Sequence, residues 1–189
     1  MICVGASITA GATTANPATD SYPSQLGRLL GDEYKVTNYG VSGCTMLRHG
    51  NFPYWITKQY QEALASNPDV VFIDLGGNDS KVENRKYMNE FEKDCCDMIR
   101  SFANLPSKPR IILMTPIVSF SRDANYIYDK VIVEDVAPHT FSAGDKAHVE
   151  VIDMHPLLDQ YPELMKDGIH PDAIGSGIIA KRMCQQFKK

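Results

Sequence analysis

The segment Cys3-Val4-Gly5-Ala6-Ser7-Ile8-Thr9-Ala10-Gly11 decides how the rest of the chain is read. A short apolar run stops at Gly-x-Ser, and small or β-branched residues follow. Glycine beside serine permits a sharp backbone turn. After a strand, such a turn lifts a hydroxyl to the carboxyl edge of a sheet. A serine there works as a nucleophile only with a base, an acid that orients the base, and donors for an oxyanion. The segment alone carries little weight, because Gly-x-Ser is a common sequence.

Working outward, residues 2–4 read as the first strand and residues 12–21 as a polar loop. Pro23 suits the first turn of a helix whose apolar face is Leu26, Leu29 and Leu30, and Gly31 reads as its stop. Residues 34–39 alternate like a second strand and run straight into Gly40-Val41-Ser42-Gly43. Thr57 can cap a helix that turns Tyr60, Ala63 and Leu64 inward. The near-continuous apolar run 70–75, bounded by breakers, predicts a central buried strand ending in Gly76-Gly77-Asn78-Asp79.

Helical spacing of Tyr87, Met88, Phe91, Cys95, Met98, Ile99 and Phe102 predicts a helix over 84–103. Residues 110–115 form the fourth strand, residues 126–138 a helix and residues 149–153 the fifth strand. After Asp167-Gly168-Ile169-His170-Pro171, a final helix turns Ile174, Ile178, Ile179, Met183 and Phe187 inward, with Gly175 and Gly177 expected against the sheet.

Five strands roughly 35–40 residues apart, alternating with helices, predict a three-layer α/β/α fold around a parallel sheet. Right-handed crossovers leave few topologies, and the flavodoxin-like order 2-1-3-4-5 is the natural choice for five strands. One domain over residues 1–189 is expected from length and rhythm. In such sheets ligands bind beyond the carboxyl ends of the strands. The distinctive polar loops sit there: Ser7 after strand one, Gly40 after two, Asn78 after three, and Asp167 with His170 after five.

The net charge of −4 with no basic block argues against a nucleic-acid partner. No apolar run approaches the ~18 residues of a membrane helix. No leader pattern precedes the first strand, and so abrupt a start leaves room for a missing upstream segment, so the compartment stays open. Cys3, Cys44, Cys95, Cys96 and Cys184 have no framework or zinc spacing and read as free, mostly buried thiols.

An ester carbonyl resists a neutral hydroxyl, so a base must take the serine proton and later return it to the leaving alcohol. Histidine suits the task because imidazole titrates near neutrality. His170 is the candidate, with Asp167 three residues earlier in a tight turn and Pro171 starting the next helix. His155, beside Asp153, is its rival, while His49, His139 and His148 read as surface or loop residues. The Ser7 N–H, the Gly40 N–H and the Asn78 side-chain amide are the candidate oxyanion donors. Asp79 reads as a brace of its own turn and Trp55 as packing rather than a sugar platform. Asp74, charged within an apolar strand beside strand one, is expected to reach the Ser7 turn or a partner remote from it.

Gly5-Ala6-Ser7-Ile8-Thr9, Gly40 with Ser42-Gly43, Gly77 and Asp79 enclosing Asn78, and Asp167-x-x-His170 resemble the four blocks of the SGNH (GDSL-like) hydrolase superfamily, in family order. The chain is similar in more detail to the small carbohydrate-acetylesterase-like members, through residues 52–55 and 105–111. The resemblance implies Ser7 as nucleophile, His170 as base, Asp167 as its partner, Ser7, Gly40 and Asn78 as oxyanion donors, and no metal or organic cofactor. The family usually has Asp before the serine; here Ala6 stands there, which bears on how the nucleophile turn is braced.

The expected activity is hydrolysis of short acyl esters, acetyl foremost, on a small-molecule or saccharide substrate. The runner-up is a lysophospholipase or thioesterase of the same superfamily, which needs an apolar channel for a long chain, and no obvious greasy insertion provides one. A binding module that keeps the fold is the alternative of another class.

Overall fold

The computed structural model describes residues 1–188, which leaves Lys189, the last residue of the expected domain, outside the described residues. Five parallel strands, β1 (Ile2–Gly5), β2 (Thr37–Gly40), β3 (Val70–Asp74), β4 (Arg110–Met114) and β5 (Glu150–Ile152), form one sheet in the order β2-β1-β3-β4-β5. The helices are α1 (Ser7–Ala10), α2 (Pro17–Asp20), α3 (Tyr22–Leu30), α4 (Lys58–Ala65), α5 (Phe91–Ala103), α6 (Asp129–Val131), α7 (Ala137–Ala147) and α8 (Ala173–Phe187). The expected three-layer α/β/α architecture is the one observed.

Strand periodicity explains the layering, because successive side chains point to opposite faces. Val4, Val71, Ile73, Ile111 and Leu113 meet Ala63, Phe91, Met98 and Phe102 on one side. Cys3, Phe72, Ile112 and Met114 meet Tyr22, Leu26, Ile179 and Met183 on the other. Both faces of the central strands are therefore apolar, which is why residues 70–73 of β3 and 111–114 of β4 read as hydrophobic runs. Among the described residues no helix is long and apolar enough to cross a membrane.

Several expectations are corrected. The loop 12–21 contains α2, capped by Asn16. The helix expected over 84–103 is α-helical only from Phe91, and Arg85–Glu90 is a 3-10 segment. The helix expected over 126–138 begins at Asp129, passes through a π-helical stretch Ile132–Val136 and continues as α7 to Ala147. Pro138 does not end the helix, which runs through it from the π-helical stretch into α7.

Ile174 is 66% exposed and Leu29 42%. The buried seam of α8 runs through Gly175, Ile179 and Met183, and that of α3 through Tyr22 and Leu26, which leaves both residues off the seam. The close approaches at Gly175 and Gly177 are to Pro171 and to Gln25 of α3, not to the sheet. Cys3, Cys44 and Cys95 are buried, while Cys96 and Cys184 are half-buried, and all are free thiols.

Candidate active site

The turn after β1 is built by close packing. A Cβ on Gly5 would lie 1.9 Å from Thr9 Oγ1 and 2.8 Å from the Asp74 carbonyl oxygen, so only glycine lets the chain turn here. Ser7 opens α1, where no earlier carbonyl is placed to accept its N–H. Asp74, opposite Gly5 in the β1–β3 register, accepts a hydrogen bond from Thr9 Oγ1 at 3.2 Å. The Tyr22 hydroxyl lies 2.7 Å from Thr9 Oγ1 and, with the Thr9 proton given to Asp74, donates to that oxygen. Of the two expectations for Asp74, the one beside the Ser7 turn holds. Burial pushes its carboxyl up to about 6, against the pull of the neighbouring Thr9 and Tyr22 hydroxyls.

The turn after β5 arrives from the other side. Asp167 Oδ1 accepts the N–H groups of Ile169 at 2.9 Å and His170 at 2.8 Å, which closes the turn on itself. Its Oδ2 lies 2.6 Å from His170 Nδ1, and His170 Nε2 lies 2.8 Å from Ser7 Oγ. A carboxylate only accepts, so Nδ1 carries the proton and Nε2 accepts the Ser7 hydroxyl. Burial opposes ionisation of Asp167, but the His170 N–H, the His170 ring and the Ile169 N–H together outweigh it and hold the carboxyl below its ordinary value. Ser7 and Asn78 are buried, and the His170 side chain is 14% exposed.

His155 is engaged elsewhere: its Nε2 lies 2.9 Å from Asp129 Oδ1, an oxygen that also accepts the Ser119 N–H at 2.8 Å. His49 pairs with Glu90 and His139 with the Asp135 carbonyl oxygen, while His148 ends α7 in a left-handed conformation.

Asn78 Nδ2 donates to the Cys44 carbonyl oxygen at 3.0 Å, which leaves its second N–H available. Gly40, the third expected donor, is different. Its N–H is taken by Asn38 Oδ1 at 2.8 Å, and a Cβ there would lie 2.3 Å from the Ala10 nitrogen. Gly40 thus lets β2 approach α1. Gly43, at φ 85° and next to the carbonyl that holds Asn78, keeps its N–H without a partner among the described residues.

Asp79 does more than brace its own turn. Its two oxygens accept the N–H groups of Met46 at 3.0 Å and Leu47 at 2.7 Å, so it ties the β3 turn to the loop after β2. Burial pushes it up to about 7 against those two bonds. Buried Asn84 holds the Asn78 carbonyl oxygen through Nδ2 at 2.8 Å and the Asn51 N–H through Oδ1 at 2.8 Å. Sequence reading missed Asn84, because nothing near it in the chain marks a residue whose partners lie in two other loops. Trp55 donates Nε1–H to the Met46 carbonyl oxygen at 2.7 Å, with the Arg48 guanidinium 3.6 Å over its ring, in agreement with packing.

A small cavity of about 30 Å³ opens beside Ser7 and Asn78, with Ile117, Ile127, Ile132 and Ile169 in its wall.

Comparison with known proteins places these observations. The chain is 39% identical over 204 residues to an acetylxylan esterase of Xylanibacter ruminicola, an alignment covering 98% of this chain and 42% of the relative. The chain thus spans less than half the length of that curated relative. It superposes on Est24, a carbohydrate acetylesterase from Sinorhizobium meliloti, with TM-score 0.74 at 18% identity over 99% of this chain and 97% of that one. The aryl esterase of M. smegmatis gives TM-score 0.76 at 16% identity, again over 99% and 97%. These two likenesses carry the fold. The sequence profile of the GDSL-like lipase/acylhydrolase family matches residues 3–178. With that profile running from β1 into α8, across all four loops of the sheet edge, the chain belongs to the GDSL-like lipase/acylhydrolase family.

Proposed function

We propose that the chain is a serine ester hydrolase that removes short acyl groups, acetyl foremost, from carbohydrate esters. The observation that carries this reading is the hydrogen-bonded run Ser7 Oγ–His170 Nε2, His170 Nδ1–Asp167 Oδ2 at 2.8 and 2.6 Å. Each member can perform one step. His170 Nε2 takes the Ser7 proton as Oγ attacks the ester carbonyl carbon. Asp167 keeps Nδ1 protonated and stabilises the imidazolium that forms. The negative oxygen of the tetrahedral intermediate is received by the Ser7 N–H and the free N–H of Asn78, with Gly43 rather than Gly40 supplying the third donor.

Collapse breaks the bond to the leaving alcohol, and His170 returns the proton to its oxygen. Water then enters, gives a proton to His170 and attacks the acyl-serine carbon. The acid leaves as Ser7 recovers its proton.

The carbohydrate part of the reading is supported by the name of the 39% identical relative and by the exposed Arg122, Asp123 and Asn125, in the loop that joins Ser119 and Ile127 of the cavity wall. The test is labelling with a fluorophosphonate probe, followed by assays on p-nitrophenyl acetate and acetylated xylan. The probe should modify Ser7, and Ser7→Ala should abolish both labelling and hydrolysis while the circular dichroism spectrum stays unchanged. A folded Ser7→Ala variant at the unmodified rate ends the proposal. Hydrolysis of p-nitrophenyl acetate with no release of acetate from any saccharide ends its carbohydrate part.

A further inference from the structure

The cavity beside Ser7 has a composition unlike the rest of the sheet edge. Ile127, Ile132 and Ile169 form a small apolar cluster of their own, each no more than 6% exposed. They come from three separate segments: the loop after β4, the start of the π-helical stretch, and the residue before His170. An isolated apolar cluster at a polar edge needs a reason, since it lies outside both main cores.

Its position relative to the reacting groups supplies one. The cavity wall includes Ser7 and Asn78 but not His170. In ester hydrolysis the leaving oxygen must come within reach of the base, here His170 Nε2. The acyl substituent of the same carbon then points away from the base, past the serine. A cavity that touches the serine and the Asn78 amide while missing the histidine is on the acyl side. It is a confined space, about 30 Å³ for the centre of a water-sized sphere, roomy enough for a water or a methyl group, and the three isoleucines close part of its wall.

The wall is also held in place. Ser119 Oγ donates to the Ile127 carbonyl oxygen at 2.9 Å. The Ser119 N–H is fixed on Asp129 Oδ1, the oxygen that His155 Nε2 also meets. Ile132 is 1% exposed, and it opens a π-helical stretch, an uncommon backbone form often found at functional sites. A wall so tied yields little to a longer chain.

We infer that Ile127, Ile132 and Ile169 set the acyl length this site accepts, closing it behind the methyl group of an acetyl ester. The inference rests on the esterase reading above and adds to it the residues that measure the acyl group. One methylene in an apolar pocket changes kcat/KM by about 10–200-fold, so a rigid wall at this distance discriminates strongly.

The experiment is a series of p-nitrophenyl esters from acetyl to octanoyl, run on the unmodified protein, Ile127→Ala, Ile132→Ala and Ile132→Val. The unmodified protein should prefer acetyl to butyryl by more than about tenfold in kcat/KM. Ile127→Ala should raise the butyryl-to-acetyl ratio by about tenfold or more. Ile132→Val, which removes a single methylene and guards against loss of folding in the alanine variants, should raise the propionyl-to-acetyl ratio. Folded, active variants with unchanged ratios overturn this inference and leave the esterase reading standing. An unmodified protein that hydrolyses butyryl as well as acetyl does the same. No hydrolysis of any ester by the unmodified, folded protein overturns both.

Discussion

Two histidine–aspartate pairs stand beyond the carboxyl end of β5, His170 with Asp167 and His155 with Asp129. Their ring-to-carboxylate distances, 2.6 and 2.9 Å, hardly separate them. The difference lies in which nitrogen is spent. His170 gives Nδ1 to the carboxylate and keeps Nε2 at 2.8 Å from Ser7. His155 gives Nε2 to Asp129, and its backbone N–H is held by Thr115 and Asp153. One pair faces a hydroxyl and the other a loop. A histidine beside an acid is therefore not a general base by virtue of that contact; the other nitrogen decides.

The largest effect that sharpens this comparison is kinetic. His170→Gln should lower kcat on p-nitrophenyl acetate by about 10⁴-fold or more, the scale on which triad members act together. His155→Gln should stay within about tenfold, or 1.4 kcal/mol. Comparable losses in the two folded variants would break the distinction.

The next effect concerns the amide opposite His170. In the proposed mechanism Asn78→Ala removes one oxyanion donor, so it should cost about 10²–10³ in kcat. KM should barely move, because the donor matters most when charge develops on the oxygen. A raised KM at unchanged kcat would make Asn78 a ground-state binding residue.

The smallest effect is on stability. Asp167 is held below its ordinary value, so its contribution is present above the ordinary carboxylate range and is lost as pH falls through the depressed value. Asp74 goes the other way. Its carboxyl rises from 3.8 to about 6, so its contribution is complete below 3.8 and is lost as pH climbs through 6. Asp79, raised to about 7, adds to the same decline. The melting temperature should therefore fall between pH 4 and pH 8. Asp74→Asn, which keeps an acceptor for Thr9, should flatten the part of that fall near pH 6. An unchanged slope in thermal denaturation would mean that Asp74 does not titrate with folding.

Much of this was legible in the chain. The four loops could be assigned to one edge because strand and helix periods mark where each strand ends. Asp167 and His170 are three residues apart, and a pair so close in sequence is recognisable as a turn. Tyr22 was less legible: its hydroxyl matters because it meets Thr9, which holds Asp74, and no local pattern joins those residues. Gly40 was misjudged as an oxyanion donor for a similar reason, since Asn38, two residues away, turns its side chain back and takes the N–H.

The sequence by itself determined the alternation of strands and helices, the parallel order of the sheet and the edge on which polar loops gather. These follow from periods of 2 and 3.6 residues and from breakers, all contained in short windows. Only the tertiary structure decided which histidine faces Ser7, which N–H groups stay free, and how Asp79 ties the loop after β3 to the loop after β2. It also brought Ile127, Ile132 and Ile169 together beside the serine. Contacts of that kind join residues from separate loops, and their partners are set by how those loops pack on the sheet edge, a geometry that no single window of the chain encodes.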